Sequence, residues 1–174
     1  SDIGIGDGKL IIGFTDYPPM NYTDDKNNFV GFDTELAIEV CKLLKVDYEF
    51  KEIVWKNKVL SLNTKEIDVV WNGMTITDEL KQSMSITDPY VVNAQVIVCK
   101  AENAEKYTSL DAIKDAKIAV ETGSAGEDCV EGFANVTAVA AQSDALLEVE
   151  SGAADVCVID ITMANAMTGK GTSY

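Results

Sequence analysis

The sequence predicts an α/β protein built from two lobes. Apolar runs typical of strands alternate with segments of helical spacing, which indicates βαβ units and largely parallel sheets. The alternation restarts after residue 93, so we expect one lobe over residues 1–93 and a second over 94–174. No apolar run approaches the roughly 18 residues that are needed to span a bilayer.

The first lobe opens with GIGDGK at residues 4–9, which lacks the Ser or Thr of a phosphate-binding loop and is expected to be a flexible leader. A loop rich in Pro and Asn follows the first strand, and Asp33 is the expected N-cap of the first helix. The predicted strands are 9–16, 47–54 and 67–73, and the predicted helices are 32–46, 56–66 and 78–84, the last capped by Thr77 or Asp78.

The second lobe repeats this pattern, and we expect the hinge between the lobes near residues 92–100. Ser109 is a predicted N-cap, and Gly152 is a predicted helix end. The predicted strands are 94–100, 117–121, 136–140 and 154–160, and the predicted helices are 109–116, 126–134, 143–151 and 161–170.

Charge and composition exclude several classes of function. The chain has 29 acidic residues, 14 Lys, no Arg and no His, and its net charge of −15 would repel nucleic acid. The absence of His removes the commonest general base and metal ligand, and we predict no catalytic residue, metal site or cofactor. The four Cys form no CxxC pair, so we expect most of them to be buried, while a single disulfide stays open.

Polar residues end four of the predicted strands, where ligands of open parallel sheets bind. They are Asp16 and Tyr17; Gly73, Met74 and Thr75; Glu121, followed by Ser124; and Asp160. Taken singly, these residues also suit structural roles, such as a turn former, a helix cap or, for Glu121, a solvated strand end. Two of the four ends belong to each lobe, so we expect them to converge across a cleft.

Six segments resemble, in order and spacing, the signatures of extracytoplasmic solute-binding proteins that serve ABC importers of polar amino acids. They are GKLIIGFTDYPPMNY, FVGFDTELAIEVCKLL, IDVVWNGMTITDE, SITDPY, KIAVETGSAG and ADVCVID. The resemblance implies a periplasmic-binding-protein type II fold whose two lobes, joined by a hinge, close on a small amine or amino acid. It also implies an ABC permease as partner and a location in the periplasm or, lipid-anchored, on the outer face of the cell membrane.

The resemblance assigns the contacts of the first lobe. Tyr17 and Trp55 would sandwich the ligand side chain, although such aromatics are more often core or rim residues. A carbonyl and a hydroxyl from Gly73 and Thr75 would meet the α-amino and α-carboxyl groups, and Met74 belongs to the same turn.

The resemblance also assigns contacts in the second lobe. Ser124, with Ala125 in the same turn, would offer hydroxyl and N–H donors to a carboxylate at a helix N-terminus. Asp160 would pair with the α-ammonium group, Glu121 ends the strand before the turn, and Asp16 of the first lobe would lie near the side-chain pocket.

One departure from the family concerns Leu80, which stands where the family has the Arg that clamps the ligand carboxylate. Losing such a charge-assisted bond costs on the order of 1.5–3 kcal/mol. Two alternatives follow. The acids beside aromatic walls favour a cationic or amine ligand, or the ligand stays an amino acid whose carboxylate rests on Thr75, Ser124 and the helix N-terminus. A weak or lost solute site is the remaining interpretation.

Two rival functions stay open for the same fold. The same scaffold suits a dehydratase of the cyclohexadienyl type, with Glu121 as general acid or base, or the ligand-binding module of a receptor. The absent cation argues against the dehydratase. Family members continue past residue 174, so we expect a truncated second lobe whose exposed edges favour a dimer or an exchange of elements between copies.

Overall fold

The computed structural model describes residues 8–172 and 174, and the chain divides between Val91 and Val92 into two compact units. We call them the N-terminal unit and the C-terminal unit. Of the predicted leader, residues 4–7 lie outside the described residues, and Lys9 already belongs to the first strand. No helix in the described ranges is long and apolar enough to cross a membrane.

The N-terminal unit holds a three-stranded parallel sheet of order β4-β1-β5, in which Ile12 of β1 pairs with Val69 of β5. Ile12, Ala37 and Cys41 form its buried core, because α1 presents Ala37 and Cys41, four residues apart, to the sheet. Its elements are β1 (Lys9–Phe14), β2 (Tyr22–Thr23), β3 (Phe29–Val30), α1 (Phe32–Leu44), β4 (Asp47–Glu52), a 3-10 turn (Trp55–Asn57), α2 (Lys58–Asn63), β5 (Val69–Val70) and α3 (Asp78–Ser83).

Three predictions for the N-terminal unit are corrected. Gly31, not Asp33, is the N-cap of α1, and Asp33 is buried in the first helical turn. The predicted loop contains the β2–β3 hairpin, in which Thr23 pairs with Phe29. Strand β5 has only two of the predicted residues 67–73. Beyond it, the side chain of Asn72 makes hydrogen bonds with Thr15, which follows β1, and these replace the backbone bonds of a longer strand pair.

The C-terminal unit holds a four-stranded sheet of order β6-β9-β7-β8, in which β7 pairs in parallel with both neighbours and β6 runs antiparallel to β9. Buried aliphatic residues of β7 and β9, including Ile118 and Val156, pack with Ile113 in its core. Its elements are β6 (Gln95–Cys99), two 3-10 turns (Ala101–Asn103 and Asp111–Ile113), β7 (Ile118–Glu121), α4 (Ala125–Cys129), β8 (Val136–Val139), α5 (Gln142–Ser151), β9 (Val156–Asp160) and α6 (Ile161–Met167).

The predicted helix 109–116 is only a 3-10 turn, although Ser109 Oγ does accept a bond of 3.2 Å from the N–H of Ala112. Gly152 ends α5 in the left-handed conformation, as predicted. All four cysteines are free, and only Cys41 and Cys157 are buried, so the expectation that most are buried was wrong.

Candidate functional site

The turns after β1 and β5 lie at one edge of the N-terminal sheet, because these strands are parallel neighbours. This places Asp16 and Tyr17 beside the turn of Gly73, Met74 and Thr75. Tyr17 is buried, and a Cβ atom added at Gly73 would lie 2.6 Å from its Cε1 atom. Gly73 also has φ +61°, so both its backbone and its close approach to the ring require glycine.

Asn72 holds the two turns together, and sequence reasoning missed this role. Its Nδ2 donates to the carbonyl oxygen of Thr15 at 2.9 Å and to Oδ1 of Asn21 at 2.8 Å. Its Oδ1 accepts from the hydroxyl of Thr15 at 2.7 Å. All three residues are buried, so this network positions Tyr17 and Gly73. The only sequence signal was the polar Asn72 between an apolar strand and Gly73.

Trp55 begins the 3-10 turn before α2 and is 8% exposed. The ammonium group of Lys58 lies 4.6 Å from the centroid of the Trp55 ring and donates to the Trp55 carbonyl oxygen at 3.4 Å. Lys58 is itself buried, which is unusual for lysine. Sequence analysis missed Lys58, because nothing in the local sequence distinguishes a buried lysine from an exposed one.

Asp33 lies in the first turn of α1, fully buried, and its Oδ1 accepts a bond of 2.7 Å from the hydroxyl of Tyr90. Burial raises the pKa of Asp33, while the Tyr90 hydroxyl and the neighbouring Gly73 N–H and Trp71 indole oppose that rise. The same burial and the Asp33 carboxylate raise the pKa of Tyr90. The pair ties the start of α1 to the SITDPY segment, close to the Gly73 turn.

Leu80 is part of α3, the short helix after the Gly73 turn. Thr77 caps this helix by accepting a bond of 3.2 Å from the N–H of Leu80, so one of the two predicted caps is correct. The Leu80 side chain is partly buried, as are Met74 and Thr75. An aliphatic side chain therefore stands where the resemblance implies an arginine.

In the C-terminal unit, Glu121 and Asp160 are the last residues of β7 and β9, which are parallel neighbours. The two carboxyl groups therefore belong to the same edge of that sheet. Glu121 is 3% exposed, which corrects the interpretation of a solvated strand end. Asp160 is buried as well.

The turn after β7 is closed by its own hydrogen bonds. Ser124 caps α4, and its Oγ accepts from the N–H of Glu127 at 3.2 Å, while Oε2 of Glu127 accepts from the N–H of Gly123 at 2.6 Å. The N–H of Ser124 donates to the Glu121 carbonyl oxygen at 3.2 Å, so this predicted ligand donor is bonded within the turn. Ala125 is the first residue of α4 and is partly buried.

Two glutamines hold Asp160. Nε2 of Gln95 donates to Oδ1 of Asp160 at 2.5 Å across the β6–β9 pair, and Oε1 of Gln142 accepts from the N–H of Asp160 at 2.9 Å. Asp160 stands at the N-cap position before α6, but its side chain makes no cap bond, so capping does not account for this carboxylate. Sequence reasoning missed both glutamines, because their positions depend on strand pairing.

No group of three or more His, Cys, Asp or Glu side chains suited to a metal ion exists within the described residues. The strand ends and the turns after them carry the carboxyl groups of Asp16, Glu121 and Asp160. Carboxylates of this kind bind ammonium groups, and buried aromatic rings beside them bind apolar or cationic parts of a solute.

Residues 10–164 match the family model of the bacterial extracellular solute-binding proteins, family 3. The L-cystine-binding protein TcyJ of Escherichia coli K12 is 32% identical over 122 residues, which cover 70% of this chain and 46% of TcyJ. The chain thus spans about half the length of the curated relatives it matches. Three relatives are named as binding proteins: TcyJ, an arginine-binding protein of Mannheimia haemolytica that is named periplasmic, and ArtP of Bacillus subtilis, which is named extracellular.

Solved structures similar to this chain identify its fold. The arginine-bound form of a truncated ArgBP from T. maritima superposes with a TM-score of 0.89 at 33% identity, covering 95% of this chain and 80% of that one. The ancestral amino acid-binding protein AncCDT-1, a precursor of cyclohexadienyl dehydratase, reaches a TM-score of 0.86 at 34% identity, covering 91% and 73%. The fold is therefore the periplasmic-binding-protein type II α/β fold. The chain belongs to the bacterial extracellular solute-binding proteins of family 3.

Proposed function

We propose that this protein captures an amino acid or a related amine outside the cytoplasm and delivers it to an ABC importer. Capture occurs by closure of the two lobes, and no covalent chemistry is involved. The family match and the relatives' names support the solute-binding role. Closure follows from linkage, since a solute that contacts both lobes stabilises the closed form by its differential affinity.

The proposed contacts in the N-terminal unit are Asp16, Tyr17, Trp55, Gly73, Met74 and Thr75. The packing of Tyr17 against Gly73 supports a rigid wall beside this turn. In the C-terminal unit, the proposed contacts are Glu121, Ser124, Ala125 and Asp160. Asp160 binds the α-ammonium group of the solute, and Thr75 and Ser124 both bind the carboxylate of the solute.

The observation that carries the proposal is the way Asp160 is held. The Asp160 carboxylate is buried at the end of β9 and accepts a bond from Gln95, while Gln142 bonds the backbone N–H of the same residue, so the acid has lost conformational freedom before any ligand arrives. Pre-organised groups bind more tightly because less entropy is lost on association. Such an acid is suited to an ammonium group, which can form charge-assisted bonds with it.

A thermal-shift screen followed by calorimetry tests the proposal. The purified chain is screened against the L-amino acids, their amides and polyamines at equal concentration. A ligand that binds only the folded state raises the melting temperature, and 100 Kd of ligand adds about 2.7 kcal/mol of stability. We expect at least one compound with an α-ammonium group to raise the melting temperature and to bind at one site per chain.

The same compounds without the ammonium group, such as the matching 2-hydroxy acids, are the control. They should not bind, because Asp160 would lack its partner. If no compound raises the melting temperature, or if the hydroxy acids bind equally well, the proposed function is wrong. Closure is tested separately by small-angle scattering, in which the ligand should reduce the radius of gyration.

A further inference from the structure

Asp33 is a fully buried acid that none of the proposed solute contacts uses. Enclosing a carboxylate is unfavourable unless hydrogen-bond donors compensate it. Its Oδ1 accepts a bond of 2.7 Å from the Tyr90 hydroxyl. Burial raises the pKa of Asp33, and the Tyr90 hydroxyl, the Gly73 N–H and the Trp71 indole oppose that rise. Donors from two separate segments of the chain therefore surround one carboxyl group.

The backbone of Asp33 is anchored to the loop that carries Tyr17. The N–H of Asp33 donates to the carbonyl oxygen of Met20 at 2.9 Å, and the N–H of Met20 donates to the carbonyl oxygen of Tyr17 at 2.7 Å. The Tyr17 ring in turn packs against Gly73. The carboxyl group is thus held close to the Gly73 turn, so a movement of that turn changes the distances from its donors to the acid.

The Trp71 indole lies on the same side of the acid as the Gly73 turn. Its Nε1 atom and Oδ2 of Asp33 are both buried, and neither makes a hydrogen bond with a described residue. The indole is nevertheless close enough to the carboxyl group to lower its pKa. A small shift of the segment from Trp71 to Gly73 can therefore bring a donor onto Oδ2, and forming a bond between two buried polar groups is favourable.

Tyr90 holds the other side of the acid and stands close to the end of the N-terminal unit, which is Val91. Its ring is half-exposed and stacks on the ring of Phe32, with centroids 6.3 Å apart and an interplanar angle of 26°. Its hydroxyl reaches inward to Asp33. Phe32 and Asp33 are the first two residues of α1, so the chain leaves the N-terminal unit from a point that this helix holds.

We propose that Asp33 is a positioning residue that couples occupation of the Gly73 turn by a solute to Tyr90, where the chain leaves the N-terminal unit. A solute at the turn moves the Gly73 N–H and the Trp71 indole relative to the carboxyl group. Hydrogen bonds that share one carboxylate polarise one another, so a shorter bond from the Gly73 side changes the bond from Tyr90. This inference rests on the proposed function and deepens it.

The first test uses ¹H–¹⁵N NMR spectra of the chain without added solute. Tyr90→Phe removes the hydroxyl donor and should shift the Gly73 amide signal and the Trp71 indole signal, one of two indole signals in this chain. In an Asp33→Asn background the same substitution should produce clearly smaller shifts, because an amide has one acceptor oxygen and no charge. In an Asp33→Leu background, which has no acceptor, the shifts should disappear.

Tyr48→Phe is the matched control, because it removes a hydroxyl from an exposed ring on β4. It should leave the signals of Gly73 and Trp71 in place. A melting curve of each variant checks that it is folded. Two different substitutions of Asp33 keep the test decisive if one of them does not fold.

The second test adds an equimolar mixture of the L-amino acids as the probe. In the wild type, the mixture should shift the amide signals of both Gly73 and Tyr90. In Asp33→Asn, the Gly73 signal should still shift, whereas the response of Tyr90 should be lost. A role for Asp33 in stability alone would leave the Tyr90 response of the folded variant intact.

The outcomes separate the two proposals. If Tyr90→Phe leaves the Gly73 and Trp71 signals unmoved, or if Asp33→Asn keeps the full response of Tyr90 to the mixture, the role of Asp33 is wrong and the solute-binding function stands. If the mixture moves no signal of the wild type, the proposed function and the coupling are both overturned.

Discussion

The hydroxyl of Tyr90 donates a bond of 2.7 Å to Oδ1 of Asp33, a fully buried acid in the first turn of α1. The two residues are 57 positions apart in sequence. The bond connects the first helix to the end of the N-terminal unit, next to the segment where the two units meet in sequence. Two predictions follow from this pair.

Tyr90→Phe should lower the free energy of unfolding by about 1–3 kcal/mol, because a buried carboxylate loses a hydrogen-bond donor that it cannot replace with water. Urea denaturation measures the change. Tyr48→Phe removes a hydroxyl from an exposed ring on β4 and should change stability by less than about 0.5 kcal/mol. Equal effects of the two substitutions would show that the Tyr90 bond is not stabilising.

Asp33→Asn should change how stability depends on pH. The pKa of Asp33 is raised in the folded chain by burial, so the folded state holds a proton that the unfolded state releases. The wild type therefore loses stability as pH rises above 3.8 and through the folded-state pKa. Asn carries no titrating group, so the stability of the variant relative to wild type should increase between pH 4 and pH 7 in urea titrations.

Asp24→Asn provides a control of opposite sign. The pKa of Asp24 is lowered by hydrogen bonds from Asn28, so its contribution to stability is present above 3.8 and is lost as pH falls through the folded-state pKa. That variant should lose stability relative to wild type as pH rises. If both variants respond to pH in the same direction, the assignment of Asp33 is wrong.

Gly73→Ala should be more damaging than the same change at Gly132. Both glycines have positive φ, +61° and +82°, but a Cβ at Gly73 would lie 2.6 Å from Tyr17, whereas nothing lies within 4 Å at Gly132. Gly132→Ala should cost only the backbone strain, about 1 kcal/mol. Gly73→Ala should cost this and about 1–3 kcal/mol more, since the buried Tyr17 ring must move. Thermal unfolding of the two variants measures this difference in stability.

Asp160→Asn should weaken the binding of any solute with an ammonium group by about tenfold or more, because a charge-assisted bond becomes neutral. Calorimetry with the best ligand from the screen measures this change. Asp128→Asn alters an exposed carboxylate of α4 and should leave the affinity unchanged. An unchanged affinity in Asp160→Asn would remove Asp160 from the proposed site.

Leu80→Arg should increase the affinity for free α-amino acids, since it introduces the forked donor that the resemblance implies for the ligand carboxylate. The gain should be on the order of one to two decades, as expected for a charge-assisted bond of about 1.5–3 kcal/mol. Leu80→Lys is the control, because its point charge lacks the fork and should give a smaller gain. If Leu80→Arg gives no gain in affinity, the turn that contains residue 80 does not hold the ligand carboxylate.

Local signals predicted much of this molecule. The hydrophobic periods located β1, α1, α5 and β9, and Thr77, Ser124 and Gly152 mark helix ends through bonds made within a few residues. Such features depend on neighbours along the chain, so the order of residues is sufficient for them. The family signatures, which are local segments in a set order, identified the fold for the same reason.

Tertiary structure alone decided the rest. Four features exist only once the chain has folded. They are the burial of Glu121, the bond from Gln95 to Asp160, the bond from Tyr90 to Asp33 and the placement of the Lys58 ammonium group over Trp55. Burial and strand register depend on how segments that are distant in sequence pack together. The sequence around a charged residue does not show whether its side chain is solvated or buried. The sequence by itself determined most of the elements and their order, because these depend on neighbours along the chain, while packing decided which charges are enclosed among them.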